Sequence, residues 1–305
     1  MISELQTEQR NPRTMHIDAM DTLEMVQTIN AEDATVAAAV AKITPALAEA
    51  VDAAAERYQH GGRLVYLGAG TSGRLGVLDA SELVPTYGIK PERAVGLIAG
   101  GRSAMFSAVE GAEDDAELGA NDLKQLALGA DDVVIGIAAS GRTPYVLGGL
   151  AYAQQVGALT IAVACVPNSA VGQAAAIALD AVVGPEVVTG STRMKAGTAQ
   201  KMILNTLSTG VMIKVGKVYQ NLMVDVLPTN QKLVDRSLRI IAETAQVTAS
   251  VAQSAFTAAG ERVPVAIVMA KTGSDKEAAE QLLADSDGSI NQVFTKWAAK
   301  HDTND

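Results

Sequence analysis

Four short apolar runs, each followed by small polar residues and then by a helical pattern, constrain the fold of this chain most strongly. The runs occupy residues 64–67, 94–99, 133–138 and 159–164. A continuous apolar run bounded by glycine or hydroxyl residues is typical of a strand buried on both faces of a parallel sheet. Because strands that alternate with helices form right-handed βαβ units, we predict an α/β fold, a three-layer αβα sandwich around a parallel sheet.

The segments on either side of this region lack the alternation. Before it, apolar residues recur at helical spacing, and Asn30 with Asp33 indicates the start of a helix. These apolar positions are Val36, Val40, Ile43, Leu47 and Val51. From about Lys232 onward the chain shows patterns of short helices. We predict an N-terminal helical segment at residues 1–59, an α/β core at 60–231 and a small helical C-terminal domain at 232–305.

The composition excludes several kinds of chemistry. Lys and Arg number 24 against 34 Asp and Glu, so the net charge of −10 repels a nucleic-acid backbone. One cysteine, Cys165, and three histidines, His16, His60 and His301, rule out a disulfide framework and a Cys/His zinc site. We therefore expect no nucleic-acid partner and no metal, and we expect carboxylates to carry any acid–base chemistry.

The sequence also indicates where the protein works. The first residues are acidic and polar, without the basic and apolar regions of a signal peptide. No charged residue occurs between Arg142 and Asp180, but the longest unbroken apolar part of this stretch, residues 156–166, is too short to span a membrane. We expect a cytoplasmic protein with no membrane partner.

A glycine-rich loop, GAGTSGRL, follows the first predicted strand at residues 68–75. Its spacing matches the dinucleotide fingerprint G-x-G-x-x-G, which is followed in nicotinamide-binding folds by an acidic residue at the end of the second strand. Here that strand ends in Gly100, Gly101 and Arg102. The loop is not a Walker loop either, because Arg74 and Leu75 stand where lysine and a hydroxyl residue are needed.

This loop retains the features of an anion site. Gly70 shapes the turn, and Thr71 and Ser72 place hydroxyl donors at a helix N-terminus, where free N–H groups and the helix dipole favour a small phosphate. The alternative is that Ser72 only caps the helix. A second loop, ASGRTP at residues 139–144, repeats the pattern with Ser140, Arg142 and Thr143 after the third strand. We expect both loops to face one crevice at the carboxyl edge of the sheet and to bind a phosphorylated small molecule.

A third motif, TGSTRMKAGT, occupies residues 189–198 before a long helical pattern. With the two loops and the run DASE at residues 79–82, it makes the sequence resemble the sugar isomerase (SIS) phosphosugar-binding family, and within it the N-acetylmuramic acid 6-phosphate etherases. The resemblance covers nearly the whole chain and is densest from about residue 61 to residue 232. It implies a flavodoxin-like SIS core and a homodimer.

The resemblance further implies a lyase that needs no cofactor. Such an enzyme removes D-lactate from the 3-position ether of N-acetylmuramic acid 6-phosphate and leaves N-acetylglucosamine 6-phosphate, in the recycling of peptidoglycan amino sugars. It places the catalytic roles on Glu82, as the acid for the leaving oxygen, and on Glu113, as the base for the C2 proton or for water. Ser191 and Lys195 would bind substrate, although Ser191 also suits a helix cap and Lys195 a plain surface lysine.

The sequence predicts the setting of Glu82 but leaves its relation to the phosphate loop open. Leu75, Leu78 and Glu82 share one helical stripe, which predicts that Glu82 is buried and that burial raises its pKa. A continuous helix would carry Glu82 about 15 Å from Ser72. Either the helix breaks near Gly76, the sugar extends far from the loop, or Glu82 serves a site shared with a second subunit.

Other functions fit parts of the same pattern. A phosphosugar-sensing regulator would bind through the two loops without using the carboxylates. An aldose–ketose isomerase would share proton abstraction at C2 but need no acid at the C3 ether. A nicotinamide enzyme would use the loop at Gly68 for its cofactor.

Overall fold

The computed structural model describes residues 6–225 and 231–301. The chain forms two compact units, one of Met1–Ser81 with Pro91–Thr209 and one of Glu82–Lys90 with Gly210–Asp305. The sequence-based division into residues 1–59, 60–231 and 232–305 stays a prediction.

The first unit contains a five-stranded parallel sheet. Its strands are β1 (Leu64–Gly68), β2 (Ala94–Ile98), β3 (Val133–Ile137), β4 (Leu159–Ala164) and β5 (Ile177–Asp180). They lie in the order β2-β1-β3-β4-β5, which confirms the predicted flavodoxin-like α/β fold. Gly68 pairs with both Ile98 and Ile137, so the carboxyl ends of β1, β2 and β3 are level. The predicted runs match β1 to β4, whereas β5 was not predicted.

Helices cover both faces of this sheet. The α-helices between residues 22 and 214 are α1 (Thr22–Asp33), α2 (Val36–Ala41), α3 (Thr44–Gln59), α4 (Gly70–Tyr87), α5 (Ala116–Gln125), α6 (Pro144–Gln155), α7 (Ala170–Gln173) and α8 (Lys195–Lys214). Helix α6 packs on β1, β3 and β4, in a core that includes Val65, Leu67 and Val134. Helix α4 lies against the opposite side chains, since its Gly76 approaches Tyr66 and Ile137. Short 3-10 helices occupy Gln6–Glu8, Pro12–Thr14, Ile17–Ala19, Pro91–Arg93, Gly101–Met105 and Ala112–Asp114.

The predicted helix start near Asn30 is wrong. Helix α1 begins at Thr22, where the Asp21 side chain accepts a hydrogen bond from the Glu24 N–H, and Asn30 and Asp33 lie in its last turn. The Asp21 side chain stabilises the helix start because it accepts an N–H group that the first turn leaves without a partner, whereas Asn30 and Asp33 satisfy no such group. The predicted apolar stripe is divided among α2 and α3, which bury Val36 and Leu47.

The second unit is mainly helical. It contains α9 (Gln231–Ala245), α10 (Ala249–Ala258), α11 (Val263–Thr272), α12 (Lys276–Ala284) and α13 (Ile290–His301), with the antiparallel pair β6 (Val218–Tyr219) and β7 (Leu222–Met223). Its apolar core includes Val263, Val265, Ala266, Ile267 and Val268 of α11. The predicted C-terminal helices are therefore confirmed.

No single helix in the described ranges has the length and apolar character needed to cross a membrane. Thr22–Ala41 and Thr44–Gln59 pass that test only as a pair, bent by 60°.

Candidate active site

A cavity of about 320 Å³ opens at the carboxyl ends of β1 and β2. Its lining combines the start of α4 with the segment after β2, and includes Gly70, Arg74, Glu110 and Glu113. The structure therefore brings together the first predicted phosphate loop and one of the two predicted catalytic carboxylates.

The start of α4 has the geometry of an anion site. Gly70 has a φ of +52°, a left-handed conformation that suits glycine, and it begins the helix directly after β1. The Gly73 N–H bonds to the Ala69 carbonyl at 3.1 Å, which closes the first turn. The preceding N–H groups of Gly70, Thr71 and Ser72 belong to the turn that a helix leaves without internal acceptors. They and the helix dipole favour a negatively charged ligand.

Ser72 does not cap this helix. It is the third residue of α4, and its buried hydroxyl donates to Oε1 of Gln200 on α8 at 3.0 Å. The cap prediction fails because the helix begins two residues earlier, which the left-handed conformation of Gly70 permits. Gln200 is a part of the loop's surroundings that the sequence did not single out.

Glu113 is exposed and lies in the 3-10 helix Ala112–Asp114, which follows Gly111 at a φ of +74°. The segment that leads to it is anchored by Arg74. The Arg74 guanidinium donates from Nε to the Met105 carbonyl at 2.9 Å and from Nη2 to the Ala104 carbonyl at 2.8 Å. Composition alone favours a solvated helix face for Glu113, whereas the structure places it on the wall of a cavity.

The predicted burial of Glu82 is wrong. Glu82 is exposed, and Leu78 on the same stripe is 50% exposed. The sheet-facing side of α4 carries Gly76 instead, where an added Cβ would lie 2.8 Å from the Tyr66 Cβ. The face of α4 that packs on the sheet is therefore set by the close contact at Gly76 and not by the leucine stripe. Since α4 is continuous from Gly70 to Tyr87, the proposed break near Gly76 does not occur.

Asp79, one turn before Glu82, fixes α4 from within. Its buried carboxylate accepts hydrogen bonds from the Tyr66 hydroxyl at 2.7 Å, Asn205 Nδ2 at 3.2 Å and the Ser208 hydroxyl at 3.3 Å. Burial raises the pKa of Asp79 even though the bonds from Tyr66 and Ser208 lower it. Burial and the charge of Asp79 also hold the pKa of Tyr66 well above its usual value, so the tyrosine remains the donor. Three elements, β1, α4 and α8, are joined at this carboxylate.

The second predicted loop lines a different cavity, of about 240 Å³. Ser140 and Arg142 belong to it, together with residues 166–170 after β4. Thr143 is the N-cap residue of α6 but makes no side-chain cap bond. The two loops follow neighbouring strands, β1 and β3, as expected. They do not share one crevice in this chain, because each loop lines a separate cavity.

Lys195 is neither a surface lysine nor a free ligand for substrate. Its Nζ forms an ion pair with Glu32 Oε2 at 2.8 Å, and both side chains are 2% exposed. Asn11 and Arg13 also bond to the Glu32 carboxylate. Burial alone would raise the pKa of Glu32, but the bonds from Lys195 and Asn11 and the charges of Lys195 and Arg13 outweigh it and lower that pKa.

Ser191 does not cap α8 either, because the helix begins four residues later at Lys195. The carboxylate of Glu186 takes that role, accepting the N–H groups of Lys195 and Ala196 at 2.9 Å each. Burial raises the pKa of Glu186 although these two bonds lower it. An internal carboxylate thus occupies the N-terminus of α8, next to the residues that the resemblance assigned to substrate binding. Glu186 follows a glycine and a proline in a segment with no periodic pattern, so no sequence signal marked it.

Two family profiles match the part of the chain that contains the parallel sheet. The SIS domain profile matches residues 115–209, and the profile of the glucokinase regulatory protein N-terminal SIS domain matches residues 46–154. A phosphoheptose isomerase structure from Francisella tularensis is 17% identical, with a TM-score of 0.48 over 63% of this chain and 98% of that chain. The fold and the profile matches define a SIS-domain protein.

Two sequence relatives are much nearer. A protein of Lactobacillus acidophilus named N-acetylmuramic acid 6-phosphate etherase is 61% identical over 96% of this chain and 98% of its own length. One of Aeromonas hydrophila with the same name is 56% identical over 95% of this chain and 98% of its own length. The chain belongs to the N-acetylmuramic acid 6-phosphate etherase family and is an enzyme of that type, which confirms the resemblance found in the sequence.

Proposed function

We propose that this enzyme cleaves the D-lactyl ether of N-acetylmuramic acid 6-phosphate by elimination and hydration, releasing D-lactate and N-acetylglucosamine 6-phosphate. The observation that carries the proposal is the cavity that brings Glu113 beside the start of α4 in a chain of this family. A phosphate binder and a carboxylate within one concavity are what the reaction requires.

The phosphate is held by local groups rather than by net positive charge. The chain carries a charge of −10, so its overall field disfavours an anion. The N–H groups at Gly70 and Thr71, the Thr71 hydroxyl and the dipole of α4 act at short range and outweigh it. The Ser72 hydroxyl joins them once it no longer donates to Gln200. Ser140, Arg142 and Thr143 line or flank the second concavity and are proposed to contact the rest of the substrate.

The chemistry uses two carboxylates. In the open-chain sugar the C2 proton is acidic because it lies α to the C1 aldehyde, and Glu113 removes it. The electron pair forms the C2–C3 double bond as the C3–O bond breaks, and Glu82 gives its proton to the departing lactate oxygen. Glu82 then takes a proton from water as the water oxygen bonds to C3, and Glu113 gives a proton back to C2, which restores both carboxyl groups.

Glu82 is proposed to act in a site completed by a second copy of the chain. Its own exposure and that of Leu78 suit a surface covered in a homodimer. The proposed setting is the cytoplasm, where muramic acid phosphates from peptidoglycan would re-enter amino-sugar metabolism.

The direct test incubates the purified chain with N-acetylmuramic acid 6-phosphate and measures D-lactate with a coupled dehydrogenase. We expect stoichiometric lactate and N-acetylglucosamine 6-phosphate. Binding of the phosphosugar without lactate would instead identify a sensor. Interconversion of hexose phosphates without lactate would identify an isomerase.

A further inference from the structure

Gln200 contains an unsatisfied group beside the proposed phosphate loop. Its side chain is completely buried in α8, and its Oε1 accepts the Ser72 hydroxyl at 3.0 Å. Its Nε2 is buried and has no hydrogen-bond partner among the residues that the structure describes. A buried N–H donor without an acceptor is costly and uncommon in folded proteins.

The same arrangement makes Ser72 a poor ligand for a phosphate. A serine hydroxyl has a single proton, and while Ser72 donates to Gln200 Oε1 that proton is not available to a ligand. Ser72 then presents only oxygen lone pairs to an incoming phosphate oxygen, and two acceptors repel each other. The loop as it stands therefore offers its N–H groups but not this hydroxyl.

One rotation frees the Ser72 proton and lowers the cost of the unpaired group. The terminal torsion of glutamine is broad and roughly two-fold, so a half turn exchanges Nε2 and Oε1 without moving the rest of the side chain. Nε2 then donates to the Ser72 oxygen, and the hydroxyl proton is free for the phosphate. An unpaired carbonyl oxygen replaces an unpaired N–H, and buried carbonyls tolerate this better.

We propose that Gln200 is a positioning residue for phosphate recognition, whose carboxamide donates to Ser72 when the sugar phosphate binds and so turns the Ser72 hydroxyl toward it. The proposal rests on the proposed function of the loop. It also accounts for the residue type, because glutamine carries a donor and an acceptor on one carbon. Ionised glutamate accepts only, and leucine does neither.

The test is a double-mutant cycle on binding of N-acetylglucosamine 6-phosphate, measured by calorimetry at pH 8. Gln200→Glu keeps the side-chain shape but holds the Ser72 proton, so we expect about 30-fold weaker binding, the range of a hydrogen bond to a charged group. In a Ser72→Ala background we expect the same change to weaken binding only about threefold, because the hydroxyl it acts through is absent. The repulsion between the new carboxylate and the phosphate is common to both backgrounds and cancels.

Equal losses in the two backgrounds would overturn the proposal. Gln200→Leu provides a second check, since it leaves the Ser72 proton free. We expect it to bind more tightly than Gln200→Glu, and weaker binding would indicate a packing role instead. Thermal unfolding of each variant shows whether it is folded. A wild-type chain that binds the phosphosugar but releases no lactate would refute the proposed function alone, and one that does not bind it would overturn both.

Discussion

Glu113→Gln lowers kcat for lactate release by about 10³-fold, within the range lost with a general base. The amide has the size of the carboxylate but cannot take the C2 proton. Phosphosugar binding changes little, because the start of α4 that holds the phosphate is unaltered. Steady-state lactate release and a calorimetric Kd for N-acetylglucosamine 6-phosphate, measured on the same preparation, separate the two effects.

Glu117→Gln is the matched control for this variant. Glu117 is exposed in the same acidic run, and lies in the first turn of α5 rather than on the cavity wall. We expect it to keep wild-type kcat within about twofold, as surface substitutions away from a site usually do. Loss of activity in both variants would point to the charge of the run as a whole. Full activity in Glu113→Gln would show that Glu113 is not the base of the reaction.

Lys195→Met lowers the free energy of unfolding by about 3 kcal/mol, at the lower end of what breaking a buried ion pair costs. The change leaves the Glu32 carboxylate buried without its nearest cation, while Asn11 and Arg13 still bond to it. Urea unfolding followed by circular dichroism measures the difference. The loss should be smaller near pH 4.5 than at pH 7, because protonation neutralises the abandoned carboxylate.

Lys201→Met controls for the loss of a lysine from the same helix. Lys201 is exposed on α8, and we expect its replacement to change stability by less than about 0.5 kcal/mol. The double variant Lys195→Met with Glu32→Leu should recover much of the loss, since it removes both charges. A pH-independent loss that the double variant does not recover would mean that Lys195 acts through packing alone.

The strands could be predicted closely because their signal is local. Runs such as residues 64–67 and 159–164 are apolar throughout and end at small polar residues, and the structure places β1 and β4 there. Strand β5 escaped detection because it follows a stretch of alanines, with Ala176 and Ala178 beside its few large apolar residues. An alanine-rich segment fits a helix as well as a strand.

The site was less accessible to sequence reasoning because its main features depend on contacts between distant segments. The loop at Gly70 could be recognised from its glycines, but the partner of Ser72 lies 128 positions away. A lysine is usually a surface residue. Lys195 is a buried cation because it pairs with Glu32, which lies 163 positions earlier in the chain. The error on Glu82 has a local cause, since the small residues of α4 indicated its buried side more reliably than the leucines did.

The origin of the oxygen in the product tests the central claim most directly. If the enzyme eliminates lactate and then hydrates the double bond, a reaction in ¹⁸O-labelled water puts the label on C3 of N-acetylglucosamine 6-phosphate and leaves lactate unlabelled. In deuterated water the same product carries deuterium at C2, taken up when the proton returns. Mass spectrometry of both products gives the answer. Label in the lactate hydroxyl, with none on C3 of the sugar, would contradict the mechanism assigned to Glu113 and Glu82.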